Sequence, residues 1–206
     1  MLRPKQLLIL LSAFILCSCN NSNTKYPYAI KDFPKKLQPY LVRMVEKGIV
    51  MHSDSALRHM ATDGELERLG ISEHPILRAA AFREMLQRKS FNHFDIVIKH
   101  LDDTALIFTD AGEFGIWDRT VSDDILQEAE WKTREEKNKT IDQVLTKHNY
   151  LRSAYIALRG LEPQEKYYSF IKDMATRPRR LDPYEGYELG FGDVEYALYR
   201  LAKFKK

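Results

Sequence analysis

The chain has two cysteines, Cys17 and Cys19, and none in residues 20–206. That stretch therefore has no disulfide, no Cys metal site and no thiol nucleophile. A domain built without disulfides is held together by its core. There is no Gly-x-Ser-x-Gly, Walker or dinucleotide-binding fingerprint and no His-Glu-x-x-His, so several hydrolase, nucleotide and zinc chemistries lack their usual frame. Nor is one sign of charge in excess. Lys and Arg total 32 against 29 Asp and Glu, and setting aside Arg3 and Lys5 leaves 30 against 29. An even balance of this kind is no nucleic-acid footprint. Long apolar runs are missing too. Residues 7–16 form an apolar segment interrupted by Ser12, short of the roughly 20 residues that a helix needs to cross a bilayer.

What the N-terminus does contain is a basic start (Arg3, Lys5), that short apolar segment and small residues after it. These are the parts of a secretion signal. Leu16-Cys17-Ser18-Cys19 resembles the lipobox of signal peptidase II substrates: aliphatic residue, spacer, small residue, Cys. The resemblance implies that residues 1–18 are removed and that Cys19 is acylated. Each buried methylene of the acyl chains then adds about 0.8 kcal/mol of membrane affinity. Asn20 stands where an Asp would resemble an inner-membrane retention signal, which favours the outer membrane. Residues 20–24 carry no acidic run, which favours the periplasmic side.

Residues 20–32 read as a tether and 33–206 as a single domain with enough chain for a sizeable core. Apolar residues recur at helical spacing: Leu37, Tyr40, Leu41, Met44; Phe94, Val97, Ile98, Leu101; Leu151, Ala154, Tyr155, Leu158; Tyr167, Phe170, Ile171, Met174; Val194, Ala197, Leu198, Leu201. Each set puts one apolar stripe on a helix of about three turns. Pro75 and Pro163 suit first helical positions, Pro39 sets a helix boundary, and Ser122-Asp123-Asp124 reads as a helix start. No segment alternates long enough to predict a sheet. The predicted fold class is all-α.

Residues 74–82 (His-Pro-Ile-Leu-Arg-Ala-Ala-Ala-Phe) align with 148–156 (His-Asn-Tyr-Leu-Arg-Ser-Ala-Tyr-Ile), and the helices that follow match at nearly the same offset. Recurring helix pairs are the mark of units that bury their faces only against one another. Residues 72–103, with Pro at a helix start, Leu-Arg-x-x-Ala and a second helix ending in Leu-Asp-Asp, resemble a HEAT repeat. Residues 146–178 match less closely and 104–145 depart from the pattern. The resemblance implies a short HEAT-like α-solenoid, a right-handed superhelix of antiparallel helix pairs, with an irregular insertion at about 104–121.

Two stretches carry binding-type composition. Residues 108–124 hold Phe114, Trp117 and Arg119, and the loop at 176–192 holds Arg177, Arg179 and Arg180 ahead of Tyr184, Tyr187 and Phe191. Trp and Arg are typical contact anchors; rings and guanidinium forks also bind sugars and anionic groups. The bland counterparts are a stapled loop and a C-terminal cap. Asp110, Glu113, Asp118, Asp123 and Asp124 lack calcium-loop spacing and read as solvated or helix-start acids. His52 and His59, and His93 and His100, are too far apart in each pair for shared metal ligation. His74 and His148 share a repeat position, which predicts a structural role such as capping. Asp54-Ser-Ala and Asp103-Thr-Ala resemble a short O-glycosylation motif. The reading that follows is a membrane-anchored, non-catalytic binding module for a protein or glycan, with no cofactor and no metal. The alternative is an envelope hydrolase or lyase acting through loops 108–124 and 176–192.

Overall fold

The computed structural model describes residues 25–51, 55–110, 112, 115–158, 164–176, 180–181 and 188–189. The domain is mostly helical, with a small sheet. Helices are α1 (Gln38–Lys47), α2 (Ser55–Met60), α3 (Asp63–Leu69), α4 (Pro75–Leu86), α5 (His93–His100), α6 (Val121–Glu128), α7 (Arg134–Lys147), α8 (Arg152–Ala157) and α9 (Tyr168–Thr176). The strands are β1 (Ile49–Val50), β2 (Leu106–Asp110), β3 (Ile116–Thr120), β4 (Arg180–Leu181) and β5 (Glu188–Leu189).

Local chemistry sets many of the boundaries. Pro75 occupies the opening turn of α4 and Pro39 that of α1, where a missing N–H breaks no helical bond. Thr62 with Glu65 and Thr133 with Glu136 form reciprocal capping boxes on α3 and α7. The start of α6 lies earlier than Ser122, because Thr120 is its cap and accepts from the Asp123 N–H at 3.1 Å.

The centre of the molecule is α4. Residues 77 to 86 are all buried, so α4 has no solvent face and no amphipathic stripe to read. It packs against α1, α2, α3, α6, β1 and β2. Beyond it the helices pair in order: α5 contacts α6, and α7 contacts α8. One layer runs α4, α6, α8, and a second runs α5, α7, α9.

Three of α4's buried residues are charged, and each has a partner. Arg78 grips Asp103 with two hydrogen bonds, Nε to Oδ2 at 2.7 Å and Nη2 to Oδ1 at 2.9 Å. Its third nitrogen donates to the Ser72 and Glu73 carbonyls. Arg83 does the same to Asp124, at 2.8 and 2.6 Å, and also reaches the Met51 carbonyl. Burial works against the Arg83 charge, but the hydrogen bonds and charge of Asp124 outweigh it and raise the pKa. Glu84 accepts from Arg58 at 3.4 Å.

The all-α expectation needs correction. The insertion at 104–121 is a β-hairpin, with Leu106 opposite Thr120 through to Asp110 opposite Ile116, and β1 adds in parallel beside β2. Its turn relies on glycine: Gly112 and Gly115 have φ of 64° and 85°, a region that costs other residues steric strain. Three strands, one face against α4 and the other outward, satisfy the backbone of a segment too irregular for a helix. Asp123 and Asp124 do stand in the first turn of α6, as acids of a helix start, but they are buried rather than solvated. Asp124 meets Arg83, while Asp123 accepts the Ser153 N–H at 2.8 Å and so caps α8. Residues 25–33, assigned from sequence mostly to the tether, pack on the domain. Phe33 belongs to the core, and the Glu73 N–H donates to the Tyr28 carbonyl at 2.9 Å.

Two outcomes follow for stability. Asp124→Asn leaves Arg83 buried without its carboxylate and is expected to cost about 3–5 kcal/mol, and Arg83→Met costs less because Arg119 still reaches Asp124 at 3.4 Å. Urea unfolding of the parent, both single variants and Arg83→Met/Asp124→Asn measures the coupling. The second outcome concerns His100, whose ring lies 4.4 Å from that of Phe82. Burial, with Lys99 beside it, pulls the imidazole down to about 4. The folded state thus holds it neutral, and the unfolded chain takes up the proton as pH falls below about 6.5. Stability drops by about 2 kcal/mol between pH 6.5 and 4 for this reason alone. His100→Phe removes that slope, so its unfolding free energy gains on the parent protein steadily as the buffer is acidified.

Candidate functional site

Among the described residues an open groove of ≈ 1090 Å³ is present. It is bordered by α5, by the N-terminal two-thirds of α7, and by the single 3-10 turn Glu165–Tyr167 that leads into α9. Phe94, Ile98, Ile141 and Tyr167 supply apolar surface. The polar lining is basic on balance, with Arg134, Lys137, Lys139 and Lys166 against Glu135 and Asp142, joined by the amides Asn138, Gln143 and Gln164.

The helical spacing of α7 generates this arrangement. Asn138, Ile141 and Asp142 recur at three- and four-residue steps and so share a face. At one end of the groove Asp142 ties α7 to α9's leading turn. It accepts from the Tyr167 hydroxyl at 2.8 Å and from the Lys166 ammonium. The Lys166 hydrogen bond, helped by that of Tyr167, holds the Asp142 carboxyl below its ordinary range. Lys166 also lies 4.5 Å from the centre of the Tyr167 ring. Lys139 pairs with Glu135 at 2.7 Å one helical turn away. Arg134 and Lys137 take part in no ion pair among the described residues.

Neither sequence-selected stretch contributes to the groove as described. Trp117 sits on β3 with 40 % of its surface exposed, beside Ile116 at 57 % and Leu106 at 48 %. Arg119 is turned inward instead. Its side chain is only 8 % exposed, it hydrogen-bonds Gln127 and reaches Asp124 at 3.4 Å, and its guanidinium lies 5.7 Å from the Trp117 ring. Arg119 therefore links the hairpin to α6 and is not an exposed anchor. Phe114, Arg177, Tyr184 and Tyr187 lie outside the described residues, as does Cys19. Arg180 is described only in its backbone, in the two-stranded pairing of β4 with β5.

The histidines divide in a similar way. His74 holds the cap position of α4, yet its side chain makes no capping bond and sits 3.3 Å from Glu73. His148 follows α7 and shares a 3.1 Å hydrogen bond with the Tyr150 hydroxyl. Among the described residues no three His, Cys, Asp or Glu side chains gather in a way that could hold a metal ion. Of the two glycosylation-type motifs, Thr104 is exposed beside a buried Asp103, and Asp54 is outside the described residues.

Sequence reasoning missed the groove because its walls come from three separated segments, none unusual alone. The nearest signal was the cluster of basic residues and amides along 134–143. No family model matches the chain, and no curated protein or solved structure matches it either.

The Asp142 link gives a direct outcome. Asp142→Asn removes the charge that holds Lys166, so α9 loosens from α7. Amide hydrogen exchange in residues 168–176 should rise about tenfold, as expected for loss of roughly 1.4 kcal/mol of local stability, while β2 and β3 exchange as before.

Proposed function

We propose that this chain is an envelope lipoprotein, acylated at Cys19, whose domain holds a partner protein without catalysis. The observation that carries the binding role is the groove. Its lining joins Phe94, Ile98 and Ile141 to a net basic set of side chains, of which Arg134 and Lys137 take part in no ion pair among the described residues. That combination fits an amphipathic, acidic segment of another protein: apolar side chains on Phe94 and Ile141, carboxylates at Arg134 and Lys137. The same groove collects no nucleophile with an activating base, and its carboxylates, Asp142 and Glu135, are each occupied by a lysine.

We read the scaffold as HEAT-like. The stacking of α4 on α6 on α8 and of α5 on α7 on α9 supports that reading. So does the sequence match between 74–82 and 148–156, which bracket two such pairs. The middle pair departs in sequence because it must accommodate the hairpin and supply Asp123 and Asp124 to its neighbours. The address follows from the N-terminal motif, with Asn20 after Cys19 favouring the outer membrane, facing the periplasm.

The test is a photo-crosslinker placed at Asn138 in cells, compared with one at Trp117. A discrete adduct at Asn138 is expected. With that partner in hand, Arg134→Glu/Lys137→Glu should weaken binding by about tenfold or more, through rim charge. Adducts from Trp117 alone would move the site to the hairpin and end the groove assignment. Cys19→Ala should shift the protein out of the membrane fraction; retention there would remove the lipid anchor.

A further inference from the structure

We infer that the end of the domain formed by Lys25, Tyr26, Asp102 and Tyr150 is held against the phospholipid headgroups, so that the groove's Arg134 end points away from the bilayer. The inference rests on the reading of Cys19 as the lipid-bearing residue. It begins from a measurable limit. Only residues 20–24 separate Cys19 from the docked segment, and six inter-residue steps span at most about 20 Å whatever their conformation. A domain of this length is roughly 40 Å across. The attached end can therefore reach the bilayer and the far end cannot.

That limit matters because Lys25 and Tyr26 are fixed to the domain. The Lys25 ammonium bonds the Asp102 carboxylate at 2.8 Å. The Tyr26 ring lies over the Arg78 guanidinium, 3.7 Å from ring centre to Cζ. Behind them Tyr28 pairs with Ser72 and Glu73, and Arg68 stacks on both Tyr28 and Phe33. Arg78 is itself locked to Asp103, so the segment is anchored to the helix whose residues 77 to 86 are all buried.

The chemistry of this end suits the headgroup layer. Tyr150 is 50 % exposed and lies within electrostatic reach of Asp102 and Lys25. Pro27 is exposed and Tyr26 partly so. Tyrosines with an apolar ring and a wet hydroxyl concentrate at membrane interfaces, and lysines extend their ammonium groups to lipid phosphates. Tyr150 lies just past the C-terminal end of α7 and Arg134 begins it; 14 residues of helix separate the ends, about 20 Å.

The experiment uses α7 as a ruler. The lipidated full-length protein is labelled with a fluorophore at Tyr150→Cys or at Arg134→Cys; Cys17 leaves with the signal and acylated Cys19 does not react. Each is reconstituted in phosphatidylethanolamine–phosphatidylglycerol vesicles containing a headgroup nitroxide lipid. Quenching at 150 should exceed that at 134 by about threefold or more, given their spacing along the helix. Lys25→Ala/Tyr26→Ala releases the first residues of the docked segment, leaving Tyr28 and Phe33 in place, and the longer free tether should lower the ratio. Equal quenching at both sites in acylated protein, or a ratio indifferent to the Lys25/Tyr26 variant, overturns the orientation. A Cys19 peptide without acyl mass overturns the anchor itself and the orientation with it.

Discussion

The structure depends on two arginines placed on a helix that has no exposed side. Arg78 and Arg83 are five residues apart, about 140° around α4, so they leave it in different directions. One meets Asp103 at the end of the α5 segment, and the other meets Asp124 inside α6. These two aspartates flank the β-hairpin. The α4 arginines thus clamp the irregular insertion at both ends and fix where the next helix pair starts. Buried ion pairs contribute little net stability, but they strongly penalise alternatives that leave a charge unmatched. Here the penalty falls on any packing that displaces the hairpin from α4.

A series of aspartates extends the same device outward. Asp123, adjacent to Asp124, caps α8 through the Ser153 N–H. Asp142 on α7 holds Lys166 and Tyr167 ahead of α9. Each successive helix pair is thereby tied to the preceding one by a carboxylate as well as by apolar contact. A chain with no cysteine beyond residue 19 has no covalent staple, and these links do part of that positioning.

Spacing made the helices legible, since Leu37, Leu41 and Met44 are buried where helical periodicity puts them, although Tyr40 of the same stripe is 43 % exposed. Pro75 and Pro39 marked starts for a reason that is local and therefore readable. The central helix escaped pattern analysis in another way. Ala79, Ala80, Arg83 and Glu84 are buried alongside Leu77 and Phe82, so α4 shows no polar face to contrast with an apolar one. The hairpin was concealed by length: five-residue strands with one face outward alternate too briefly, and only the β-branched and aromatic residues around Gly112 and Gly115 signalled it. Asp123 and Asp124 were legible as helix-start acids, but their burial was not, because their partners are 30 and 41 residues away. The groove was least legible, being a relation between surfaces rather than a motif. Of the aromatic and arginine residues singled out, Arg119 was the one whose role changed most, from contact group to internal brace.

The N-terminal segment and the groove share one geometric frame, because α7 runs between them. Its C-terminal end lies near Tyr150 and the Lys25–Asp102 pair, and its first turn carries the cations outside any ion pair among the described residues. A short lipid tether would by itself permit many orientations of a domain. With residues 25–33 docked on the domain, such a tether would gain direction from its shortness, since its attachment point is fixed relative to the groove. If the anchor is as proposed, the basic rim faces away from the anionic lipid surface that would otherwise compete for it. Within a Debye length of about 8 Å such competition is strong, and at the roughly 20 Å length of α7 it is largely screened. Under that proposal Lys25 at one end of α7 and Arg134 and Lys137 at the other would each be kept for a separate ligand.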